Sequence, residues 1–225
     1  GWLYQTIVLG RGDTAAGRAL LATLPKELSP RVRGVADANL ARLARHFDSS
    51  TVALARAPGQ RLVDPPQDLI VRALNDLASG SQARAGARAD SAGSLARSFL
   101  HSTPGAGVFG NAADFHSILG LADAIRGRDA EAIQEGQRAV ALNPTARDAT
   151  EGPRSVDNLI MIYVLLGRKD EAIRLIAEQA HAPLTATSIL FITQATLRLD
   201  PLFDSIRNDP RIQALLKNDA AWVVR

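Results

Sequence analysis

The most constraining feature of the sequence is a helix–turn–helix pattern over residues 112–144. Gly120, Gly127, Ala132, Ala139 and Pro144 follow one another at the spacings that two antiparallel, closely packed helices need. The first glycine would let the second helix approach, and the next would end the first helix in a left-handed conformation. The alanines are small where the helices cross, and the proline ends the second helix. Because such a unit cannot bury its apolar face alone, neighbouring units are predicted.

A second copy of the pattern follows. Its turn, LGRKDEAI at 166–173, matches IRGRDAEAI at 125–133, and both place acidic residues at the start of the second helix, where they complement its positive end. The apolar and small positions of the repeat recur as Leu159, Tyr163, Gly167, Ala172, Ile173 and Ile176, with Pro183 near the closing position.

Earlier units are more degenerate. We predict a turn and second helix at 10–25, a hairpin at 30–58 with DSS at 48–50 as its turn, and a hairpin at 65–102. The stretch 102–114, STPGAGVFGNAAD, is predicted to be a loop because glycine, proline, serine and asparagine cluster there.

The tail differs from the repeats. LDPLFDSIRNDPRIQALLKN at 199–218 predicts two short helices, each with Asp as cap and Pro at the first helical position. We expect residues 197–217 to dock as a lid on the final hairpin around Ile173 and Ile176, since a terminal repeat would otherwise expose an apolar face. We expect most of the following tail residues to lie on one face: Leu197, Leu199, Leu202, Ile206, Ile212, Leu215 and Leu216.

The repeats resemble the tetratricopeptide family. Together with GQRAVALNPTARDATEGP at 136–153, IMIYVLLGRKDEAIRLI at 160–176 and LRLDPLFDSIRNDPRIQALL at 197–216, they resemble the C-terminal region of bacterial multidomain signalling proteins. Those proteins join a tetratricopeptide array to a Ser/Thr kinase, a winged-helix transcription regulator or a nucleotide cyclase, often with a TolB-like segment between.

The resemblance implies an all-α, right-handed superhelical solenoid of about five helix hairpins with a short-helix cap at the C-terminus. We expect one continuous array, with degenerate hairpins over 1–102, two clear repeats over 112–182 and capping helices over 183–225. The composition agrees, because alanine and leucine dominate the hydrophobic 46% and aromatic residues are only 4%.

Charge and hydropathy exclude several classes of protein. The pI of about 9.8 suggests nucleic-acid binding, but the arginines are scattered singly among acidic residues without interleaved aromatic residues, so we expect none. No apolar run approaches the length of a membrane span, so we expect no membrane contact. The chain opens inside an apolar segment without Met and is expected to be part of a longer bacterial protein, cytoplasmic, or periplasmic if a span lies upstream.

No catalytic or metal-binding constellation is recognisable. The four histidines, His46, His101, His116 and His181, lack metal-ligand spacing, and His116 holds a position at which a packed aromatic ring is expected. There is no nucleophile elbow, phosphate loop or dinucleotide fingerprint. We therefore expect no enzyme activity, no cofactor and no metal.

The remaining candidate site is the groove that the first helices of the repeats would line. Helical periodicity predicts a groove that is polar at the helix starts and apolar at their ends. A lysine- and asparagine-lined clamp for a C-terminal carboxylate is not expected, because Ile118 stands where an asparagine would be needed and no lysine lines the groove. The groove residues are predicted to be Asp114, Ser117, Leu121, Ala124, Ile125, Arg154, Asp157, Asn158, Met161, Val164 and Leu165.

The sequence therefore predicts a non-catalytic module that binds a protein or peptide or serves as a scaffold. Arg154 and Asp157 would orient the partner, and Met161, Val164 and Leu165 would supply contact area. The alternative is a sensory or regulatory region acting in cis on an attached kinase, cyclase or winged-helix domain.

Overall fold

The all-α expectation is confirmed by a computed structural model, which describes residues 12–23, 30–56, 65–102, 111–149, 152–180 and 192–218. Of these residues 83% are helical, and the described ranges contain no strand. None of the helices in these ranges is both long enough and apolar enough to cross a membrane.

The helices follow one another with short connections. In chain order they are α1 (Thr14–Thr23), α2 (Pro30–Leu43), α3 (Phe47–Arg56), α4 (Pro65–Ala78), α5 (Gln82–Ser102), α6 (Ala112–Ile125), α7 (Asp129–Leu142), α8 (Gly152–Leu165), α9 (Lys169–Gln179), α10 (Gln194–Leu199), a 3-10 turn (Pro201–Phe203), α11 (Asp204–Arg207) and α12 (Pro210–Lys217).

Helices pack in successive pairs: α2 with α3, α4 with α5, α6 with α7, and α8 with α9. The pairs are themselves stacked, since α4 packs on α6 and α6 packs on α8. We call the surface that these three first helices share the inner face. Most apolar side chains of α4–α9 and of the tail join one buried cluster, so the packing is continuous along the chain.

The turn inside each of these pairs has the same geometry. Two residues after the first helix ends, the backbone takes a positive φ, at Arg45, Gly80, Gly127 and Gly167 (62°, 79°, 71° and 71°). The next N–H then donates to the carbonyl five residues earlier, at 2.7–2.9 Å in all four turns. This is the Schellman arrangement, which satisfies the last carbonyls of a helix. The conformation predicted for Gly127 is confirmed.

Arg45 is the exception among these turns, because it is the residue of the four that carries a side chain at positive φ. Crowding of Cβ costs a non-glycine residue about 1 kcal/mol or more in this conformation. The turn predicted at 48–50 is wrong: those residues lie inside α3, and the turn is at 44–46. Asp48 in the first turn of α3 complements the positive helix end, which explains why a turn-forming residue occurs there.

Three helices meet closely at small residues. A Cβ added at Gly120 would lie 2.6 Å from Ile162 Cδ1 and 3.0 Å from the carbonyl oxygen of Ala132, and one added at Gly136 would lie 2.7 Å from Ile162 Cδ1. Ala132 has no exposed surface. The close approach predicted at Gly120 is confirmed, and it joins α6, α7 and α8 at one point.

The tail starts its helices as predicted. Asp200 and Asp209 are each followed by proline. The Oδ1 atom of each aspartate accepts a hydrogen bond from the backbone N–H two residues later in the chain, at 2.9 Å. Helix α12 packs on α9, as expected of a lid. The rest of the tail goes elsewhere: the 3-10 turn packs on α4 and α8, and Leu199 joins a cluster with residues of α1 and α2. The prediction of an end cap was therefore too narrow, because the tail crosses from the last pair of helices to the first.

We expect Ala132→Leu to lower the free energy of unfolding by about 1–3 kcal/mol, because a larger side chain overpacks the point where α6, α7 and α8 meet. Urea denaturation followed by circular dichroism measures this. Ala130→Leu is the matched control, since Ala130 lies on the exposed side of the same helix. Equal midpoints for the two variants would contradict the packing described here.

Candidate binding surface

An open hollow lies on the inner face at the N-terminal ends of α4, α6 and α8. The empty space within the hollow is about 400 Å³, and part of this volume is open to solvent. Gln67, Asp114 and Arg154 are each the third residue of their helix, so equivalent positions of three helices meet there. The lining residues are Gln67, Ile70, Asp114, Ile118, Leu121, Arg154 and Asn158.

The hollow has an apolar floor and a polar rim. Ile70, Ile118 and Leu121 are at most 5% exposed. On the rim, Arg154 donates to Asp114 Oδ1 across the boundary between α6 and α8. The other oxygen of that carboxylate accepts the N–H of Asn111, which completes a capping box at the start of α6. The rim is therefore held in place by both a helix cap and an ion pair.

Four of the eleven groove residues predicted from the sequence line this hollow: Asp114, Leu121, Arg154 and Asn158. The sequence missed Gln67 and Ile70, because α4 belongs to a degenerate unit whose register the pattern does not fix. The remaining seven lie elsewhere. Leu165 is partly buried, and the other six are buried: Ser117, Ala124, Ile125, Asp157, Met161 and Val164.

The tail, residues 192–218, covers much of the rest of the inner face. The 3-10 turn packs against both α4 and α8, and the N–H of Ile192 points at Asp157 Oδ2 at 3.4 Å. Asp157 is 7% exposed and Met161 is 2% exposed, so neither is accessible to a partner in this arrangement. As far as the described residues show, the part of the predicted groove that stays open is the end at the helix starts.

Asp157 carries a buried carboxyl group whose loss of hydration is only partly offset by hydrogen bonding. Burial raises its pKa to about 8 from an ordinary value of 3.8, and the N–H of Ile192 only partly opposes this. The folded chain thus holds a proton between about pH 4 and pH 8 that the unfolded chain has released. Stability from this group is therefore greatest at the acid end of that window and is lost as the pH rises through 8.

We expect Asp157→Asn to remove this pH dependence, since its amide oxygen still accepts from Ile192 but cannot ionise. The free energy of unfolding of the variant minus that of the wild type should rise by at least about 1.4 kcal/mol from pH 5 to pH 8. This is the equivalent of one pKa unit. Urea denaturation at the two pH values measures the change. Glu131→Gln, at an exposed carboxylate, is the control, and parallel profiles for Asp157→Asn and wild type would refute the assignment.

A buried ion pair fastens the tail to the early helices. Arg42 of α2 donates through Nε and Nη2 to the two carboxylate oxygens of Asp200, at 2.8 and 2.9 Å. Its Nη1 donates to Asn75 Oδ1 of α4 at 2.6 Å, and Asn75 Nδ2 donates to Ser50 Oγ of α3 at 3.0 Å. Arg42 is 3% exposed and Asp200 is 6% exposed.

A second, exposed ion pair lies one helical turn away. Arg45 donates through Nη1 and Nη2 to the two oxygens of Asp204, at 2.8 and 2.7 Å. The hydrogen bond from Arg45 lowers the pKa of the Asp204 carboxyl below its ordinary value. We call Arg42, Arg45 and Asn75, with Asp200 and Asp204, the clasp. The sequence holds no signal for it, because its arginines and aspartates are more than 150 residues apart.

The histidines considered as candidate metal ligands make structural contacts where they are described. His116 is buried, as expected of a packed ring, and its Nδ1 lies 2.5 Å from Glu135 Oε2. His101 Nδ1 lies 2.6 Å from the carbonyl oxygen of Arg97, and His181 lies outside the described residues. In the described part of the chain, no group of three or more histidine, aspartate and glutamate side chains could hold a metal ion.

No protein-family model, curated protein or solved structure matches the chain. The tetratricopeptide resemblance therefore stays a prediction.

Proposed function

We propose that the chain is a non-catalytic, tetratricopeptide-like module that binds a protein or peptide segment at the hollow on the inner face. The observation that carries the proposal is that equivalent positions of three successive first helices converge on one recess. In an array of helix pairs, a partner is recognised where such positions meet. The common Schellman geometry of the four turns supports the interpretation as repeats.

The chemistry of the hollow favours a peptide over a metabolite. Three apolar side chains form the floor, and the side-chain amides of Gln67 and Asn158 stand on the rim beside the Arg154–Asp114 pair. An apolar side chain of the partner would be buried on the floor, while its backbone N–H and C=O groups reach the rim amides, which both donate and accept. Because the rim charges already pair with each other, we do not expect the partner to need a particular charge.

The partner would be a separate protein or another domain of a bacterial signalling protein that contains this module. In either case, the hollow would bind a segment that has an apolar side chain as its anchor. An isolated recess of this size holds few anchors, so weak binding is expected from the hollow alone.

We expect Asn158→Arg to abolish peptide binding by filling the hollow with a long, charged side chain. Peptides would be selected from a random displayed library on the immobilised full chain, and their affinities measured by fluorescence anisotropy. The control is Gln137→Arg, which adds the same side chain at an exposed position of α7. Selected peptides should bind the wild type and the control, and lose at least tenfold in affinity for Asn158→Arg.

Circular dichroism of both variants checks that the fold is kept. If no peptide is enriched, or if the enriched peptides bind Asn158→Arg as well as they bind the wild type, the hollow is not the binding site.

A further inference from the structure

The clasp pairs two arginines on one side with two aspartates on the other. Arg42 lies in the last turn of α2 and Arg45 in the turn that follows it, and Asp200 and Asp204 are four residues apart in the tail. Each pair is bidentate, which fixes direction as well as charge. The carboxylates follow the pattern Asp-Pro-x-x-Asp, and Phe203 between them is 2% exposed. The segment 200–204 is therefore held by two charges at the clasp and by one buried apolar side chain, Phe203.

The backbone of Arg45 indicates that its side chain matters. Its position is held by glycine in the three other turns of the same geometry, where nothing lies within 4 Å of an added Cβ. Glycine would adopt this conformation without strain, and the strain persists only where the surroundings hold it. Within the described part of the chain, the Arg45 side chain donates to both carboxylate oxygens of Asp204.

The tail contains its own comparison. Asp200-Pro201 and Asp209-Pro210 both cap a helix start with the same local hydrogen bond, at 2.9 Å. The second carboxylate pairs with Arg211, two residues away, whereas the first pairs with Arg42 of α2. Capping alone therefore does not require the contact with α2. The proline fixes the backbone of the segment in advance, which lowers the entropy lost when the segment docks.

We propose that Arg42, Arg45 and Asn75 form a recognition site for Asp-Pro-x-x-Asp segments, occupied here by the chain's own residues 200–204 and able to accept a segment of the same chemistry in trans. The site is independent of the hollow, because it lies at the ends of α2 and α4 and shares none of the hollow's residues.

The energetics of the two pairs suit exchange of the segment. A buried, bidentate pair contributes little net stability against the cost of desolvation, but it penalises a partner that lacks the charge. The Arg45–Asp204 pair has about half of each side chain exposed, at 48% and 44%, so salt and a competing carboxylate can reach it. The cis segment has the advantage of a high effective concentration. A competitor in trans should therefore bind only when the cis contact is weakened.

A labelled peptide tests this directly. A fluorescent peptide with the sequence of residues 197–217 is titrated with the full chain carrying Asp200→Asn and Asp204→Asn, which keeps the site but weakens its own segment. Fluorescence anisotropy should show binding at least tenfold tighter than to the wild-type chain. A peptide carrying the same two asparagines should bind at least tenfold more weakly, and adding Arg45→Gly to the host should weaken binding at least threefold. Glu131→Gln in the wild-type chain is the control for a lost carboxylate.

Arg45→Gly separates recognition from folding, because glycine relieves the backbone and removes only the side chain. If the doubly substituted host loses its helical circular dichroism, Asp204→Asn alone replaces it, since that pair is exposed. Binding to neither host, equal binding to host and wild type, or equal binding of the two peptides would overturn the proposal. Each of these results would make the tail a fixed part of the core.

Discussion

The buried pair between Arg42 and Asp200 is the interaction on which the arrangement of the inner face depends. It ties the tail to α2 and, through Asn75, to α3 and α4. With the tail held there, the 3-10 turn lies against α4 and α8. Asp157 is buried beside Ile192 at the start of that tail, and the open surface is left at the helix starts. An ion pair of this kind selects one position for a segment more than it stabilises the fold, because desolvation offsets much of the attraction.

The hollow on the inner face and the clasp beside it differ in chemistry. The hollow offers an apolar floor and a neutral polar rim, which suits an apolar anchor of a peptide. The clasp offers two guanidinium groups, which suit paired carboxylates. A module with both could hold one segment at each, and occupancy of the clasp would set how much of α4 and α8 is covered. The two surfaces therefore both use α4, through Gln67 and Ile70 in the hollow and Asn75 in the clasp, without sharing a residue.

Several features of the fold were predictable because they arise from local sterics. The left-handed turn at Gly127 and the helix starts at the two Asp-Pro steps follow from residues adjacent in sequence. The close approach at Gly120 was predictable from the spacing of small residues within the pair α6 and α7. The turn at Arg45 was missed for the complementary reason. A glycine in the sequence predicts a residue in the left-handed conformation, whereas an arginine does not. Asp48 and Ser50 are residues typical of turns, and they led to a turn being predicted at the wrong position.

The sequence by itself determined the helical class, the pairing of α6 with α7 and of α8 with α9, and the polar rim at the starts of α6 and α8. Helical periodicity and turn chemistry act over a few residues, which is why these features could be predicted. Only the tertiary structure decided that α4 supplies Gln67 and Ile70 to the hollow, that Asp157 and Met161 are buried, and that the tail returns to α2. Those outcomes depend on contacts between residues far apart in the chain. Such contacts depend on complementary charge and shape, which leave no periodic trace in the sequence.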